Sequence, residues 1–376
     1  MKIGILTFPN STSHGATLQM FALYNTTAAM GYDVEIINYH NAYMKSYQHY
    51  EKMQKKSRLE RAAKLAMHHL IHSRMYAGFR KFEKNMVLYP RKAVSDKALL
   101  PAIGKRYGAA ICGSDQVWNP DITDSDMSYY FDFCGPETDR ISYAPSFGVD
   151  SLSKPLAGAV GEELNKFFRI SVREESGRQL VSQTAGREAQ LVVDPTMLMD
   201  AEAWTAYEQP HPAAKGDYIL YYTVRSSESL WQYCKKLAKE QNLKILRIGS
   251  NFISRQLKNN ETVEYVCDVS PGEWLYLVHH ARCVVTNSFH GTAFSINYRK
   301  NFFVEFSSLT NTRLAHIVSV LGLEEQVVRN AENTAPVETD YTTTNAVLPA
   351  LREESLNFLK NALDASCEKH EKTHNT

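Results

Sequence analysis

The chain lacks most of the features that would announce a partner or a compartment. Its charges nearly cancel, 42 Lys and Arg against 41 Asp and Glu with a formal net charge of +1, so no global field draws it to nucleic acid. No stretch reaches the roughly 18 consecutive apolar residues that a membrane-spanning helix needs. The N-terminal MKIGILTFPN enters a strand pattern directly, without the long apolar segment or small-residue cleavage site of an export signal. The six cysteines are Cys112, Cys134, Cys234, Cys267, Cys283 and Cys367. They form no CxxC and no close pairing with histidines at metal-ligand spacing, which excludes a disulfide framework and a zinc ribbon and predicts a reduced, cytoplasmic protein. No GxGxxG follows the first strand and no GxxxxGK[ST] occurs, so the usual dinucleotide site and P-loop phosphoryl transfer lose their support. GxSxG and HExxH are missing as well. The expectation is chemistry with no metal and no bound cofactor. No internal repeat and no low-complexity tract is present.

What remains is an ordinary globular composition, 44% hydrophobic and 22% charged over 376 residues, a length that predicts two domains with separate cores. Lys2 to Phe8 reads as a strand, Pro9 to Gly15 as a loop, Ala16 to Met30 as a helix and Val34 to Tyr39 as a second strand, which is one βαβ unit. Further strands are expected at Ala109–Cys112, Ile141–Ala144, Arg169–Val172 and Leu191–Val193. Past Asp200 the alternation restarts. Strands are expected at Tyr218–Val224, Lys244–Ile248, Cys283–Thr286 and Phe302–Glu305, with helices at Glu228–Gln241 and Gly272–His280. Gln209, Pro210, Pro212 and Gly216 mark a linker. The fold class is therefore α/β, two Rossmann-like domains with mostly parallel sheets, residues 1–200 and 201–347, and a ligand cleft between them. A last helix over 348–364 is expected to pack back on the first domain, and the polar tail from Glu368 to fray.

One segment breaks the neutrality. Lys45 to Lys84 carries eleven Lys or Arg against three Glu, a local excess of +8, with Leu59, Ala63, Ala66, Leu70 and Ile71 near helical spacing. It reads either as a solvated helix or as a surface for anionic headgroups at the inner face of a membrane.

Chemistry-bearing residues gather where strands end. In VVTNSFHGTAFS, Val284 to Ser295, a polar turn of Asn287, Ser288, Phe289, His290 and Gly291 separates a strand from a helix opened by Thr292. A helix start favours a phosphate or carboxylate, and His290 adds a group that exchanges protons near neutral pH; a purely structural histidine is the alternative. After Cys112, the loop GSDQVWNP offers Asp115, Gln116 and Asn119 to sugar hydroxyls and Trp118 to a sugar face, or else forms an Asx turn over a buried Trp. Arg173 ends a strand, its fork suited to an anion or paired with Glu174 or Glu175. Arg225 and Arg313 occupy comparable places in the second half. Asp194-Pro195-Thr196 reads as a structural turn. His14 and Gly15 lie in a loop entering a helix, Gly15 permitting close backbone approach and His14 either contacting substrate or simply solvated.

Taken in order, GILTF with SHGATLQ, ICGSDQVWNP, SYAPSFG, ISVREESG, VVDPTML, VVTNSFHGTAFS and NTRL make the chain resemble the polysaccharide pyruvyl transferase family over nearly its whole length. SHGA departs from the expected Asn-Tyr-Gly-Ala type, so His14 stands as a substrate-binding candidate, with Gly15, on the loop reading alone. The resemblance implies a GT-B-like fold and transfer of the pyruvyl group of phosphoenolpyruvate, a co-substrate, to a sugar or lipid-linked glycan acceptor in capsule, exopolysaccharide or cell-wall glycan synthesis. Mapped by motif, His290 matches the catalytic histidine and Arg173 the anion-binding arginine, with Asp115 the candidate for orienting the acceptor. Phosphoenolpyruvate is expected at Asn287, Ser288, Gly291 and Thr292, with Arg225 and Arg313. Two rival readings stand beside it: a GT-B glycosyltransferase using a nucleotide sugar, and a non-catalytic glycan-binding member of an assembly complex.

Overall fold

The computed structural model describes residues 1–41, 72–248, 259–306, 312–330, 332 and 334–374. The apolar pattern from Leu59 to Ile71 in the basic segment lies outside the described residues, whereas the segment's end forms the helix Ser73–Glu83. The chain divides into two compact units, the first made of Met1–Ile71, Glu83–Leu198 and Leu351–Thr376, the second of His72–Phe82 and Met199–Ala350.

In the first unit, β1 (Lys2–Leu6), β2 (Asp33–Tyr39), β3 (Leu88–Val94), β4 (Ala109–Cys112), β5 (Asp139–Ser142) and β6 (Phe167–Arg169) form one sheet in the order β3-β2-β1-β4-β5-β6. Every pair is parallel. Parallel strands are covered on both faces, which explains why KIGIL and AAIC read as unbroken apolar runs rather than alternating ones. The helix His14–Ala29 is buried continuously from His14 to Leu23; a helix without a polar stripe belongs inside. β3 was not apparent in the sequence because LYPRKAV is a half-exposed edge strand interrupted by Pro90, where proline is tolerated.

A short parallel pair, β7 (Ser171–Val172) and β8 (Gln190–Leu191), sits beside β5. Serine hydroxyls carry this junction: Ser142 Oγ donates to Ser171 O at 2.9 Å, Ser171 Oγ donates to Ser142 O at 2.8 Å, and Ser171 N donates to Ser142 Oγ at 3.0 Å. The strand expected over Arg169–Val172 is thus two strands broken at Ile170.

The last helix runs Thr342–His374, and the fraying expected from Glu368 does not occur. Ser366 Oγ donates to Asp139 Oδ2 at 2.8 Å, Lys369 pairs with Asp139 Oδ1, and a ring nitrogen of His370 lies 3.0 Å from the Gly108 carbonyl. Polar residues hold the end where apolar periodicity has run out.

In the second unit, β9 (Tyr218–Tyr222), β10 (Lys244–Ile248), β11 (Val263–Val266), β12 (Cys283–Thr286) and β13 (Asn301–Val304) are ordered β11-β10-β9-β12-β13, all parallel. His72–Phe82 packs here rather than with the rest of residues 1–200. His72 Nδ1 lies 2.9 Å from Asp268 Oδ1 and Arg74 donates to Glu273 at 2.7 Å. A Cβ on Gly78 would stand 2.5 Å from Ser270 Cβ, so only glycine allows this approach. No described helix is long and apolar enough to cross a membrane.

Candidate active site

In each sheet the direction of strand succession reverses once, between β1 and β4 in the first and between β9 and β12 in the second. Open parallel sheets bind ligands at such switch points, beyond the strand C-termini. The polar motifs fall at these two places.

In the second unit, β12 ends at Thr286 and the helix Phe289–Asn297 begins three residues earlier than the sequence pattern predicts, so His290 and Gly291 belong to its first turn. Ser288 is the N-cap, its Oγ accepting from Gly291 N at 3.2 Å, and Ser288 N donates to Thr286 Oγ1 at 3.0 Å. Thr292 Oγ1 donates to Ser288 O at 3.1 Å. A Cβ on Gly291 would lie 2.5 Å from Thr286 Oγ1, which is why glycine stands there. The Ser288 and Thr292 side chains thus build the turn. His290 is 8% exposed, held at the positive end of the helix dipole with its ring edge-on to Phe289.

Asn287 joins the switch point together. Its Oδ1 accepts from Val224 N at 3.0 Å and its Nδ2 donates to Arg225 O at 2.9 Å. The side chain expected to touch substrate instead fixes the backbone of a second candidate, Arg225, which is itself exposed. Arg313 is the second residue of the helix Thr312–Val320 and is partly buried. Tyr222, at the end of β9, stacks edge-on with Trp274 at 5.3 Å; burial pushes its hydroxyl pKa up, against the effect of a hydrogen bond with Ser288.

The first unit's switch point is an acidic network around one guanidinium. Arg173 Nη1 lies 2.7 Å from Asp194 Oδ2 and 3.4 Å from Ser114 Oγ. Glu174 Oε2 is 3.7 Å and Asp115 Oδ1 3.9 Å from the same guanidinium. Burial works against the Arg173 charge, yet the Asp194, Glu174 and Asp115 carboxylates outweigh it and raise its pKa, the behaviour of an arginine enclosed by opposite charge. The sequence pairs Arg173 with a neighbouring glutamate or with an anionic substrate; its tightest partner is Asp194, reached from another strand. Asp194 is the hub, accepting also from Ser114 Oγ at 2.8 Å and, through Oδ1, from Thr196 N and Oγ1 at 3.0 and 2.7 Å. Three carboxylates thus face the Arg173 guanidinium.

Asp115 holds a positive φ of 79°, a conformation uncommon outside glycine and often found where function constrains the backbone. Its Oδ1 accepts from Gln116 N at 2.9 Å and its carbonyl from Ser146 N at 2.9 Å. Thr7 Oγ1 donates to Ser114 O at 2.9 Å and Gln19 Nε2 donates to Thr7 Oγ1 at 2.8 Å, so β1, β4 and the first helix close on each other.

The sugar platform expected at Trp118 is not there. Trp118 is 2% exposed, stacked on Tyr130 at 5.1 Å and flanked by Phe147 and Phe167, its Nε1 donating to Tyr129 O. Asn119 is likewise spent, capping the turn Pro120–Thr123 and donating to Gln116 Oε1 at 2.7 Å. His14 is 8% exposed as the first residue of its helix, not a solvated loop residue, and Gly15 lies buried within the first turn. Both follow from the helix beginning two residues before the predicted Ala16.

Two Rossmann-like units with parallel sheets place the chain in the GT-B-like fold class. A UDP-GlcNAc 2-epimerase from Methanocaldococcus jannaschii, in complex with UDP-GlcNAc and UDP, has this fold at 14% identity and a TM-score of 0.50, with 97% of this chain and 100% of that one covered. A Listeria monocytogenes protein assigned as a UDP-N-acetylglucosamine 2-epimerase matches at 11% identity and a TM-score of 0.50, covering 95% and 90%. No curated protein sequence matches the chain. The chain belongs to the polysaccharide pyruvyl transferase family, whose model matches residues 14–304.

Proposed function

We propose that this protein transfers the pyruvyl group of phosphoenolpyruvate to two hydroxyls of one sugar residue, forming a pyruvate ketal in surface polysaccharide synthesis. The observation that carries the reading is the β9/β12 switch point of a family member, where Asn287, three residues before the helix-start His290, pins the backbone at Val224 and Arg225. Protonation of C3 makes C2 of phosphoenolpyruvate electrophilic, and one sugar hydroxyl adds there. The C2–O bond to phosphate then breaks and the second hydroxyl closes the ketal. Of the two hydroxyl protons released, one balances the proton gained at C3 and the other leaves with phosphate.

His290 is assigned as the general acid. Arg225 and Arg313 are assigned to the donor's phosphate and carboxylate. Arg173, enclosed by carboxylates, is assigned to positioning Asp115 and Asp194 instead of binding the donor, and Asp115 to orienting the acceptor. Purified protein is expected to release phosphate from phosphoenolpyruvate only when a suitable glycan, free or lipid-linked, is present. His290→Gln should lower that rate by about 10²- to 10⁴-fold. Consumption of a nucleotide sugar, with no phosphate release across a broad glycan panel, would sink the proposal.

That outcome would favour the second reading, a nucleotide-sugar glycosyltransferase, which draws on the fold shared with an epimerase solved with UDP-GlcNAc. Thermal shifts with phosphoenolpyruvate against a set of nucleotide sugars separate the two.

A further inference from the structure

The second unit contains a cluster that the pyruvyl-transfer reading does not use. Glu208, His279 and His280 each offer a ligand atom, and these atoms all lie within 4.8 Å of one another. Glu208 Oε1 is 2.8 Å from His279 Nδ1, and its Oε2 is 4.0 Å from His280 Nδ1, so one carboxylate straddles two imidazoles. We propose that these three residues form a binding site for a divalent transition cation of the zinc type.

Four features support it. Two imidazoles and a carboxylate are a donor set that zinc takes with a fourth position left for water. Both histidines end the helix Pro271–His280, where the dipole favours positive charge. Each ring is held by an aromatic neighbour: His279 stacks on Tyr298 at 4.4 Å and 8°, His280 on Tyr276 at 3.8 Å and 21°. Glu208 is 9% exposed at its side chain, whereas His279 and His280 are 35% and 44% exposed, so a sheltered carboxylate faces an accessible mouth.

Zinc would replace the His279–Glu208 hydrogen bond and the 3.0 Å contact between His280 Nδ1 and Tyr276 O. Tetrahedral ligation at about 2.0–2.2 Å puts donor atoms roughly 3.4 Å apart, a contraction of the present cluster that falls mainly to the exposed His280.

The site is separate from the candidate active site. His279 and His280 precede β12, which starts at Cys283, whereas His290 follows its end at Thr286; the two places lie at opposite ends of the strand, whose four residues span roughly 13 Å. The sequence alone does not reveal the cluster because Glu208 stands 71 residues from His279.

Full-length protein stripped of metal with a chelator is titrated with Zn²⁺, and separately with Mg²⁺, by calorimetry and thermal unfolding. The expected result is one Zn²⁺ per chain with a raised Tm, and no response to Mg²⁺, which prefers oxygen ligands. His280→Ala and Glu208→Gln should each weaken zinc binding about tenfold or more, while His370→Gln, in the other unit, binds as before. Absence of saturable zinc binding, or unchanged affinity in His280→Ala and Glu208→Gln, overturns the proposal. Should Glu208→Gln fail to fold, the exposed His280→Ala decides alone.

Discussion

Asp194 and Arg173, 21 residues apart and just past the ends of two paired short strands, meet in a 2.7 Å ion pair with side chains 0% and 2% exposed. The two substitutions that break it are not equivalent. Asp194→Asn leaves Arg173 facing Glu174 and Asp115, whereas Arg173→Met takes the guanidinium away from all three carboxylates. Removing one partner of a buried pair costs about 3–5 kcal/mol. Asp194→Asn is expected at or below the low end of that range and Arg173→Met at the high end, measured by urea unfolding. Equal losses would show that Glu174 and Asp115 do not act on the guanidinium.

Asn287 is expected to act through Arg225. In Asn287→Ala, Val224 N and Arg225 O lose their partners; both residues are exposed, so water replaces them and the stability cost should stay at about 1 kcal/mol or less. Under the proposed function, KM for phosphoenolpyruvate should rise more than kcat falls, because a donor-holding residue loses its position while His290 keeps its own. Asn287→Asp should not restore KM, since its carboxylate faces the Arg225 carbonyl. A fall in kcat with KM unchanged would contradict the positioning role.

Trp118 separates a core residue from a sugar platform. Trp118→Ala should destabilise the protein by about 3–5 kcal/mol, read as a lower Tm. A platform residue would raise the acceptor KM and leave Tm in place.

Acid stability should depend on Glu35. Hydrogen bonds from Arg106, at 2.7 and 2.8 Å, and from Lys2 outweigh its burial and bring its pKa down to about 2. A carboxyl held below its unfolded value contributes stability above the ordinary glutamate range and loses it as the pH falls toward the folded value. Stability should therefore decline between about pH 5 and about pH 2. Arg106→Ala should be less stable at neutral pH and decline less over that window, as followed by denaturant midpoints. Parallel curves for the two proteins would rule this linkage out.

Much of the fold could be read from local pattern. The helix Glu228–Gln241 and the strands Lys244–Ile248, Ala109–Cys112 and Cys283–Thr286 lie where apolar runs and their flanks predict. β3 and β11 are not legible in the sequence because edge strands bury one face or less, and LYPRKAV and VEYV carry no unbroken apolar run. The helices at His14 and Phe289 start earlier than the apolar pattern predicts for a shared reason. Each has a serine N-cap with a His and a Gly in the first turn, which look like loop in sequence while the serine side chain is already bonded to that turn.

The amino-acid sequence by itself determined the parallel α/β elements, the polar motifs at strand ends and the family, because periodicity, turn chemistry and motif order are properties of neighbours along the chain. Only the tertiary structure decided what those motifs touch. Ser288 became a cap, Thr292 a donor to its carbonyl, Asn287 a clamp on Arg225, Trp118 a core side chain and Asp194 the partner of Arg173. Each outcome depends on which strands lie side by side, and strand order is set by packing across the sheet, not by distance along the sequence.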